Sequence, residues 1–353
     1  MSMRKGIFGK TSNGEVAHII TIANNSGMSI EVTDYGATLV SVSVPDKEGR
    51  LSDVVLGYDD VTDYERNTAY LGATIGRIGN RIAKASFSID GKEYFMDKNE
   101  GENVCHSGPH GYHGMLWQME LREEENMVAF HHVSPHLEQG IPGRFDVTVT
   151  YQLTDENEIR IHYSGCSDRD TIVNMTNHSY FNLAGHESGK LITGHEIWID
   201  ADAFTPVGED LIPTGEIRPV EGTYMDFRTA KKIGRDIDAA DEQLRIGGGY
   251  DHNFVLNHYD GTLRKVAEVF EEGSGRKLEV FTDLPGMQMY AGNFLGGGSV
   301  GKDGAVYRNR SGLALETQYF PDAVHHANFP QPFLKAGEPY DTTTVYRITV
   351  ANR

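Results

Sequence analysis

The sequence predicts an all-β fold, a large antiparallel β-sandwich. Apolar residues alternate with polar ones at period two from one end of the chain to the other, which is typical of strands with one buried face. Glycine accounts for 40 of the 353 residues and supplies the turns that many short strands need. Helical patterns are few and short. Together these observations favour a sandwich over a helical or mixed fold.

The predicted strands follow one another along the whole chain. In order, the alternating segments lie at 30–32, 39–44, 147–153, 159–163, 197–199, 278–280, 287–289, 313–315 and 346–350. The second of them ends at a turn signal, Pro45-Asp46. The third and fourth are separated by the polar turn 155–158, which predicts a hairpin. Residues 230–244 are expected to form a surface helix or a solvated loop.

The charge of the chain excludes one class of function. Lys and Arg number 32 against 51 Asp and Glu, a formal net charge of −19. A nucleic-acid-binding protein needs a basic face to release counterions, and the sequence contains no basic cluster. The same charge favours a neutral small-molecule substrate over an anionic one.

The sequence also predicts the number of domains and the cellular compartment of the protein. No linker, composition shift or repeat divides it, so residues 1–353 are expected to form a single domain, and a β-propeller is disfavoured. The two cysteines, Cys105 and Cys166, are too few for a disulfide framework and indicate a reducing cytoplasm. No signal peptide and no run of 18 apolar residues is found, so neither export nor a membrane partner is expected.

Three of the 15 histidines lie in the glycine-rich segment 105–114, as His106, His110 and His113. A metal site is one hypothesis, because histidine is the commonest ligand, but the spacing matches no zinc motif. A bent polar loop is the preferred interpretation.

Polar side chains share one face of a predicted strand in three separate segments. These faces consist of Asn174, Thr176, His178 and Tyr180, of Ala314, Glu316 and Gln318, and of Gln288 and Tyr290. Such side chains are suited to binding the hydroxyls of a neutral sugar, and the alternative is a solvent-facing strand. The three faces would line a groove if their strands are neighbours in one sheet, which the sequence leaves open.

Six short motifs carry a resemblance to a known family. They are Gly76-Arg-Ile-Gly-Asn-Arg-Ile-Ala83, Val104-Cys-His-Ser-Gly108, Asn174-Met-Thr-Asn-His-Ser-Tyr-Phe-Asn-Leu-Ala-Gly185, Gly249-Tyr-Asp-His-Asn253, Leu284-Pro-Gly-Met-Gln288 and Leu315-Glu-Thr-Gln-Tyr-Phe-Pro-Asp-Ala323. Each alone is a weak match. In this order they resemble the aldose 1-epimerase (galactose mutarotase) family.

The resemblance implies a sandwich of the galactose mutarotase type that binds a neutral aldose without a metal or organic cofactor. It implies that Glu316 is the base and His178 the acid. Substrate contacts are implied for Asn80, Arg81, His106, Ser179, Tyr180, Asp251 and Gln288. The sequence departs from the commonest family form at 111–114, where His113 replaces part of an Asp-Lys pair, so the roles of His110 and His113 stay open.

The implied reaction interconverts α and β anomers of a hexose such as galactose or glucose by opening and reclosing the ring. It requires a base at the C1 hydroxyl and an acid at the ring oxygen. Glu316 is therefore expected to be ionised and His178 protonated in the resting enzyme, with Glu316 or Asp251 as the anion that keeps the imidazole charged.

Three alternatives stay open. A phosphosugar 1-epimerase of the same fold needs several basic residues, whereas Arg81 is the only clear one in the matched motifs. A non-catalytic sugar-binding module would keep the groove and lose the acid or the base. A glycoside-processing enzyme would use Asp251 and Glu316 as paired carboxylates. A monomer or a homodimer is expected, and the preferred aldose is open.

Overall fold

The computed structural model describes residues 1–66, 68–297 and 300–351. Within these ranges the chain consists mainly of antiparallel strands, with two α-helices of five and six residues. No helix in the described part is long and apolar enough to span a lipid bilayer. The prediction of an all-β fold is confirmed.

The described residues form 28 strands. In chain order they are β1 Ser2–Lys10, β2 Val16–Ala23, β3 Ser29–Thr33, β4 Thr38–Pro45, β5 Leu51–Asp53, β6 Thr74–Ile75, β7 Arg81–Ile82, β8 Ser86–Ile89, β9 Lys92–Phe95, β10 Val104–Cys105, β11 Gln118–Arg122, β12 Met127–Ser134, β13 Phe145–Leu153, β14 Glu158–Ser167, β15 Thr171–Ile172, β16 Thr176–Asn177, β17 Tyr180–Phe181, β18 Glu196–Ile199, β19 Ala201–Thr205, β20 Arg218–Pro219, β21 Lys231–Lys232, β22 Asp251–Leu256, β23 Arg264–Phe270, β24 Arg276–Thr282, β25 Gly286–Tyr290, β26 Leu313–Gln318, β27 Phe333–Leu334 and β28 Pro339–Val350. The α-helices are α1 Val61–Glu65 and α2 Glu242–Gly247. Three-residue 3-10 turns lie at Ala83–Ala85, Tyr112–Gly114, Glu123–Glu125, Glu138–Gly140, Ile192–Gly194, Ile233–Arg235, Lys302–Gly304 and Ala323–His325.

Two large sheets pack face to face. One has the strand order β11-β12-β13-β14-β28-β24-β23-β18-β21, and the other has the order β17-β26-β25-β22-β19-β20. Buried side chains of both belong to one hydrophobic cluster that extends from Ile20 to Ile348. Tyr346 of β28 links the sheets directly, because its hydroxyl donates to the carbonyl oxygen of Leu315 in β26 at 2.8 Å. This pairing of apolar faces is the predicted β-sandwich.

The hairpin predicted for residues 147–163 is present. Strands β13 and β14 pair with Val149 opposite Tyr163, and both side chains are buried in the core. Asn157, in the left-handed conformation with φ of 61°, closes the turn between them. The other predicted strands are also present, as β3, β4, β18, β24, β25, β26 and β28.

Of the two structures expected for residues 230–244, a surface helix or a solvated loop, the helix is absent over most of the segment. Only α2 is α-helical there, and a 3-10 turn lies at Ile233–Arg235. Helix α2 begins where Asp241 accepts hydrogen bonds from the backbone N–H groups of Gln243 and Leu244. Earlier in the segment, Lys231 pairs with Ile197 in a strand. The Lys231 ammonium donates to the carbonyl oxygen of Tyr224 at 2.7 Å, so tertiary contacts outweigh local helix propensity.

The polar segment 173–183 is not one continuous strand. It forms the short strands β16 and β17, with His178 and Ser179 between them. The Asn174 side chain bonds to the backbone of Tyr319 through both its oxygen, at 2.8 Å, and its nitrogen, at 3.2 Å. Asn174 therefore fastens two chain segments together and does not extend the polar face predicted for His178.

Candidate active site

A cavity of about 390 Å³ lies over the six-stranded sheet. Seven of the nine residues predicted for the site line it, namely Asn80, Arg81, His106, His178, Tyr180, Asp251 and Glu316. A concave, polar pocket of this size is typical of a small-molecule site.

Three neighbouring strands form the floor of the cavity. Strand register places Gln288 of β25 opposite Glu316 of β26, and Tyr290 of β25 opposite Asp251 of β22. Because side chains alternate along a strand, Glu316, Gln288, Tyr290 and Asp251 project from the same face. The polar faces around Glu316 and around Gln288, separate in the sequence, are adjacent in the sheet.

His178 reaches the cavity from the break between β16 and β17. Its backbone is fixed on both sides, because its N–H donates to the Ala73 carbonyl at 2.9 Å and its carbonyl accepts from Gly72 at 3.0 Å. The next strand, β17, then pairs with β26, with Tyr180 opposite Ala314. This arrangement places Nε2 of His178 3.5 Å from Oε1 of Glu316.

The opposite wall comes from β7 and its partner β10. Asn80 has φ of 57°, and its backbone N–H donates to Nδ1 of His106 at 3.2 Å. Since Nδ1 accepts this bond, the proton of the neutral His106 ring is on Nε2. His106 and His178 pack edge to face with their ring centroids 5.2 Å apart.

Two predicted site residues, Gln288 and Ser179, are not among those that line the cavity. The Gln288 amide donates to Oδ1 of Asp251 at 2.7 Å, so it acts on the site through Asp251. The Ser179 hydroxyl is buried without a hydrogen-bond partner among the described residues, and its backbone N–H donates to Oδ1 of Asn177. Neither Gln288 nor Ser179 therefore lines the cavity with its own side chain.

The exclusion of water dominates the electrostatics of Glu316 and His178. Burial raises the pKa of Glu316 well above its ordinary value, and the Asp251 carboxylate raises it further against the opposing charge of Arg81. Burial lowers the pKa of His178 to about 4. Both shifts run against the expectation of an ionised Glu316 beside a protonated His178, because burial disfavours the charged form of each group. The two shifts together favour a protonated carboxyl beside a neutral imidazole.

The other ionisable groups of the site follow the same trend. Burial lowers the pKa of His106 well below its usual value, and the neighbouring His178 and Arg81 lower it further. Burial raises the pKa of Asp251, although Arg81 and the Gln288 hydrogen bond act in the opposite direction. Both imidazoles are therefore neutral near pH 7.

The donor atoms of His106, His178 and Glu316 lie within 4.8 Å of one another, the one such group among the described residues. Two imidazoles and a carboxylate are chemically able to bind a transition metal ion. Of the histidine-rich segment 105–114, only His106 takes part. His110 is exposed, and His113 packs instead on Tyr70 with ring centroids 4.7 Å apart.

Among the residues that line the cavity and that sequence reasoning missed are Tyr70 and Glu100. The Tyr70 ring lies 4.7 Å from the ring of His106 and 5.9 Å from that of His178. Glu100 binds Arg81 through two hydrogen bonds of 2.6 and 2.9 Å. Both lie in irregular segments without periodicity, so the only available signal was their nearness in sequence to the Asn80-Arg81 and His106 motifs.

Comparison with known proteins places the chain in a family. The family model for aldose 1-epimerase matches residues 18–347. The galactose mutarotase of Sus scrofa is 43% identical over 351 residues, covering 99% of this chain and all of that protein. The aldose 1-epimerase of Escherichia coli K12 is 38% identical over 337 residues, or 95% of this chain and 96% of that protein.

The fold shows the same relationship. A crystal structure of an aldose epimerase homologue from C. elegans superimposes with a TM-score of 0.86 at 30% sequence identity, covering 99% of this chain and 100% of that one. Family match, sequence identity and fold agree over nearly the whole length. The chain belongs to the aldose 1-epimerase family of isomerases.

Proposed function

We propose that this aldose 1-epimerase interconverts the α and β anomers of a neutral hexose such as galactose or glucose, with Glu316 as base and His178 as acid. The observation that carries the proposal is the placement of the carboxyl and the imidazole 3.5 Å apart in one polar cavity. The names of the mammalian relatives, galactose mutarotases, support galactose as a substrate.

The chemistry of a hemiacetal needs one base and one acid at the same time. Glu316 takes the proton of the C1 hydroxyl while His178 gives a proton to the ring oxygen, and the bond between C1 and the ring oxygen breaks. The resulting aldehyde rotates about the C1–C2 bond and presents its other face. The reverse transfers then close the ring, so each residue ends with the proton count it had at the start.

Sugar binding supplies the proton arrangement that this step needs. The Oε2 atom of Glu316 is buried and has no hydrogen-bond partner among the described residues. A sugar hydroxyl that donates to Oε2 stabilises the carboxylate and lowers its pKa, and the shared proton then moves to His178. The pair therefore starts as carboxylic acid and neutral imidazole and reacts as carboxylate and imidazolium.

The remaining residues of the cavity hold the sugar. We assign hydroxyl contacts to Asn80, Arg81, His106 and Asp251, whose polar groups line the cavity. His106 donates through its Nε2 proton. Gln288 is a positioning residue, because its hydrogen bond fixes the Asp251 carboxylate.

We further assign the enzyme to the cytoplasm, as one domain acting as a monomer or homodimer. The core cluster that extends from Ile20 to Ile348 supports one domain. Both cysteines are free, Cys105 in the cavity wall and Cys166 on the surface, which supports a reducing compartment.

The pH profile of kcat/KM for galactose is expected to have an acid limb near pH 4. Below the lowered pKa of His178, about 4, the pair holds two protons and has no base. Above the raised pKa of Glu316 the pair holds no proton and has no acid. Stopped-flow polarimetry checks this, with circular dichroism at each pH to confirm folding. A half-loss near pH 6.5, the ordinary pKa of histidine, would contradict it.

Polarimetry of freshly dissolved α-galactose, α-glucose and α-xylose tests the proposed reaction itself. We expect the wild-type enzyme to accelerate equilibration of at least the two hexoses without releasing sugar from a methyl galactoside. Binding without acceleration would favour a sugar-binding module instead. Release of reducing sugar from the glycoside would favour a glycoside-processing enzyme. A preference for galactose 6-phosphate over galactose would favour a phosphosugar 1-epimerase.

A further inference from the structure

Arg81 is the only lysine or arginine among the described residues that line the cavity. Its guanidinium is paired with the carboxylate of Glu100. Nε donates to Oε2 of Glu100 at 2.6 Å, and one terminal nitrogen donates to Oε1 of the same carboxylate at 2.9 Å. This bidentate arrangement is the geometry in which arginine binds carboxylates and phosphates most strongly.

The chain fixes Glu100 in this position by its backbone. Arg81 of β7 pairs with Cys105 of β10, and the connection returns through residues 99–103. The Asn99 side chain accepts from the Cys105 N–H at 2.7 Å and donates to the Cys105 carbonyl at 2.9 Å. The Asn103 side chain accepts from the Lys84 N–H at 2.9 Å. These hydrogen bonds fix the backbone around Glu100 and so hold its carboxylate next to Arg81.

Among the described residues, the other ionisable groups of the cavity include no positive charge that could bind an anion. Asp251 and Glu316 are acidic, and the lowered pKa values of His106 and His178 keep both imidazoles neutral near pH 7. The second terminal nitrogen of Arg81 makes no hydrogen bond within the described part of the chain, so it can still meet a sugar hydroxyl. A phosphate or carboxylate can form this bidentate pair with Nε and the same terminal nitrogen of Arg81 only by displacing Glu100.

We propose that Glu100 is a specificity-determining residue that excludes anionic sugars, such as uronic acids and sugar phosphates, by occupying the guanidinium of Arg81. The proposal rests on the proposed function in taking this cavity as the sugar site. Arg81 keeps its hydrogen-bonding capacity towards neutral hydroxyls. Its charge is compensated inside the protein, so a substrate gains little by carrying a negative group.

The test compares Glu100→Gln with a matched variant two residues away. Glu100→Gln keeps the size and one acceptor for Arg81 but removes the charge. Glu102→Gln removes the same charge from an exposed residue that pairs with Lys98. Binding of inorganic phosphate and of galacturonate is measured by calorimetry on each full-length protein. Inorganic phosphate needs no particular sugar orientation, and thermal unfolding confirms that each variant is folded.

We expect Glu100→Gln to bind phosphate and galacturonate about tenfold more tightly than wild type, the factor of one regained charge-assisted hydrogen bond. Glu102→Gln and the charge-conserving Glu100→Asp should remain close to wild type. Adding Arg81→Gln to Glu100→Gln should abolish the gain, because no guanidinium is left to receive the anion.

Three results would overturn the proposal. The first is equal anion binding by wild type and Glu100→Gln. The second is an equal gain in Glu102→Gln, which would point to overall charge, and the third is a gain that survives removal of Arg81. Calorimetry requires no turnover, so these outcomes stand apart from the proposed function, which fails instead if the wild-type enzyme does not accelerate anomer exchange.

Discussion

Replacing Glu316 with glutamine is expected to lower kcat for galactose anomer exchange by about 10²–10⁴-fold, the contribution of one positioned base. Glutamine keeps the shape of the buried side chain, but its amide cannot accept the proton of the C1 hydroxyl. Galactose binding should change much less than kcat, because Asn80, Arg81 and Asp251 remain in place. Polarimetry gives kcat, and calorimetry gives the dissociation constant.

The stability of the Glu316→Gln protein separates a chemical effect from misfolding. Burial raises the folded-state pKa of this carboxyl, so its ionisation opposes folding once the pH exceeds its unfolded-state pKa. Removing the group should therefore leave the unfolding temperature at pH 8 unchanged or higher. Glu93→Gln, on the exposed face of β9, is the matched control and should keep full activity. Wild-type kcat in Glu316→Gln would rule out its role as base.

Replacing His178 with glutamine is expected to lower kcat by about 10²–10⁴-fold, again the range for one positioned acid or base. The glutamine amide extends towards the position of Nε2 and can donate a hydrogen bond to the ring oxygen, but it cannot transfer a proton. The variant therefore distinguishes proton transfer from hydrogen bonding. Polarimetry at saturating galactose measures the loss.

His110→Gln serves as the control for His178→Gln, because His110 is exposed in the histidine-rich segment 105–114 and does not line the cavity. It should retain the wild-type rate. If His178→Gln kept its rate while His110→Gln lost it, the assignment of the acid would be wrong. If neither variant lost activity, proton transfer by either histidine would be excluded.

Strand periodicity predicted the part of the site that lies on regular strands. Glu316, Gln288 and Tyr290 alternate with apolar neighbours, so the sequence alone placed them on the polar face. Their adjacency depends on the pairing of β25 with β26, which is a long-range property that no local pattern contains. His178 was identified by its motif, although it lies in a break between strands and not within one.

The protonation state and the supporting residues could not be predicted from the sequence. The low pKa of His178 comes from its burial. That burial depends on how the segments that contain Tyr70 and Glu100 pack around the cavity. Tyr70 has φ of 57°, a left-handed conformation that propensity does not predict for tyrosine. The structure of segment 230–244 was likewise not predictable from local sequence, because it depends on tertiary contacts such as that of Lys231 with Tyr224.

The most direct test of the account is the rate of galactose anomer exchange in the double variant Glu316→Gln/His178→Gln, compared with the two single variants. If the carboxyl and the imidazole share one proton and act in the same step, losing either disables both. We therefore expect the double variant to be no slower than the slower single variant, within about threefold. Losses that multiply would contradict a shared step, and substantial activity in the double variant would contradict the pair as the catalytic centre.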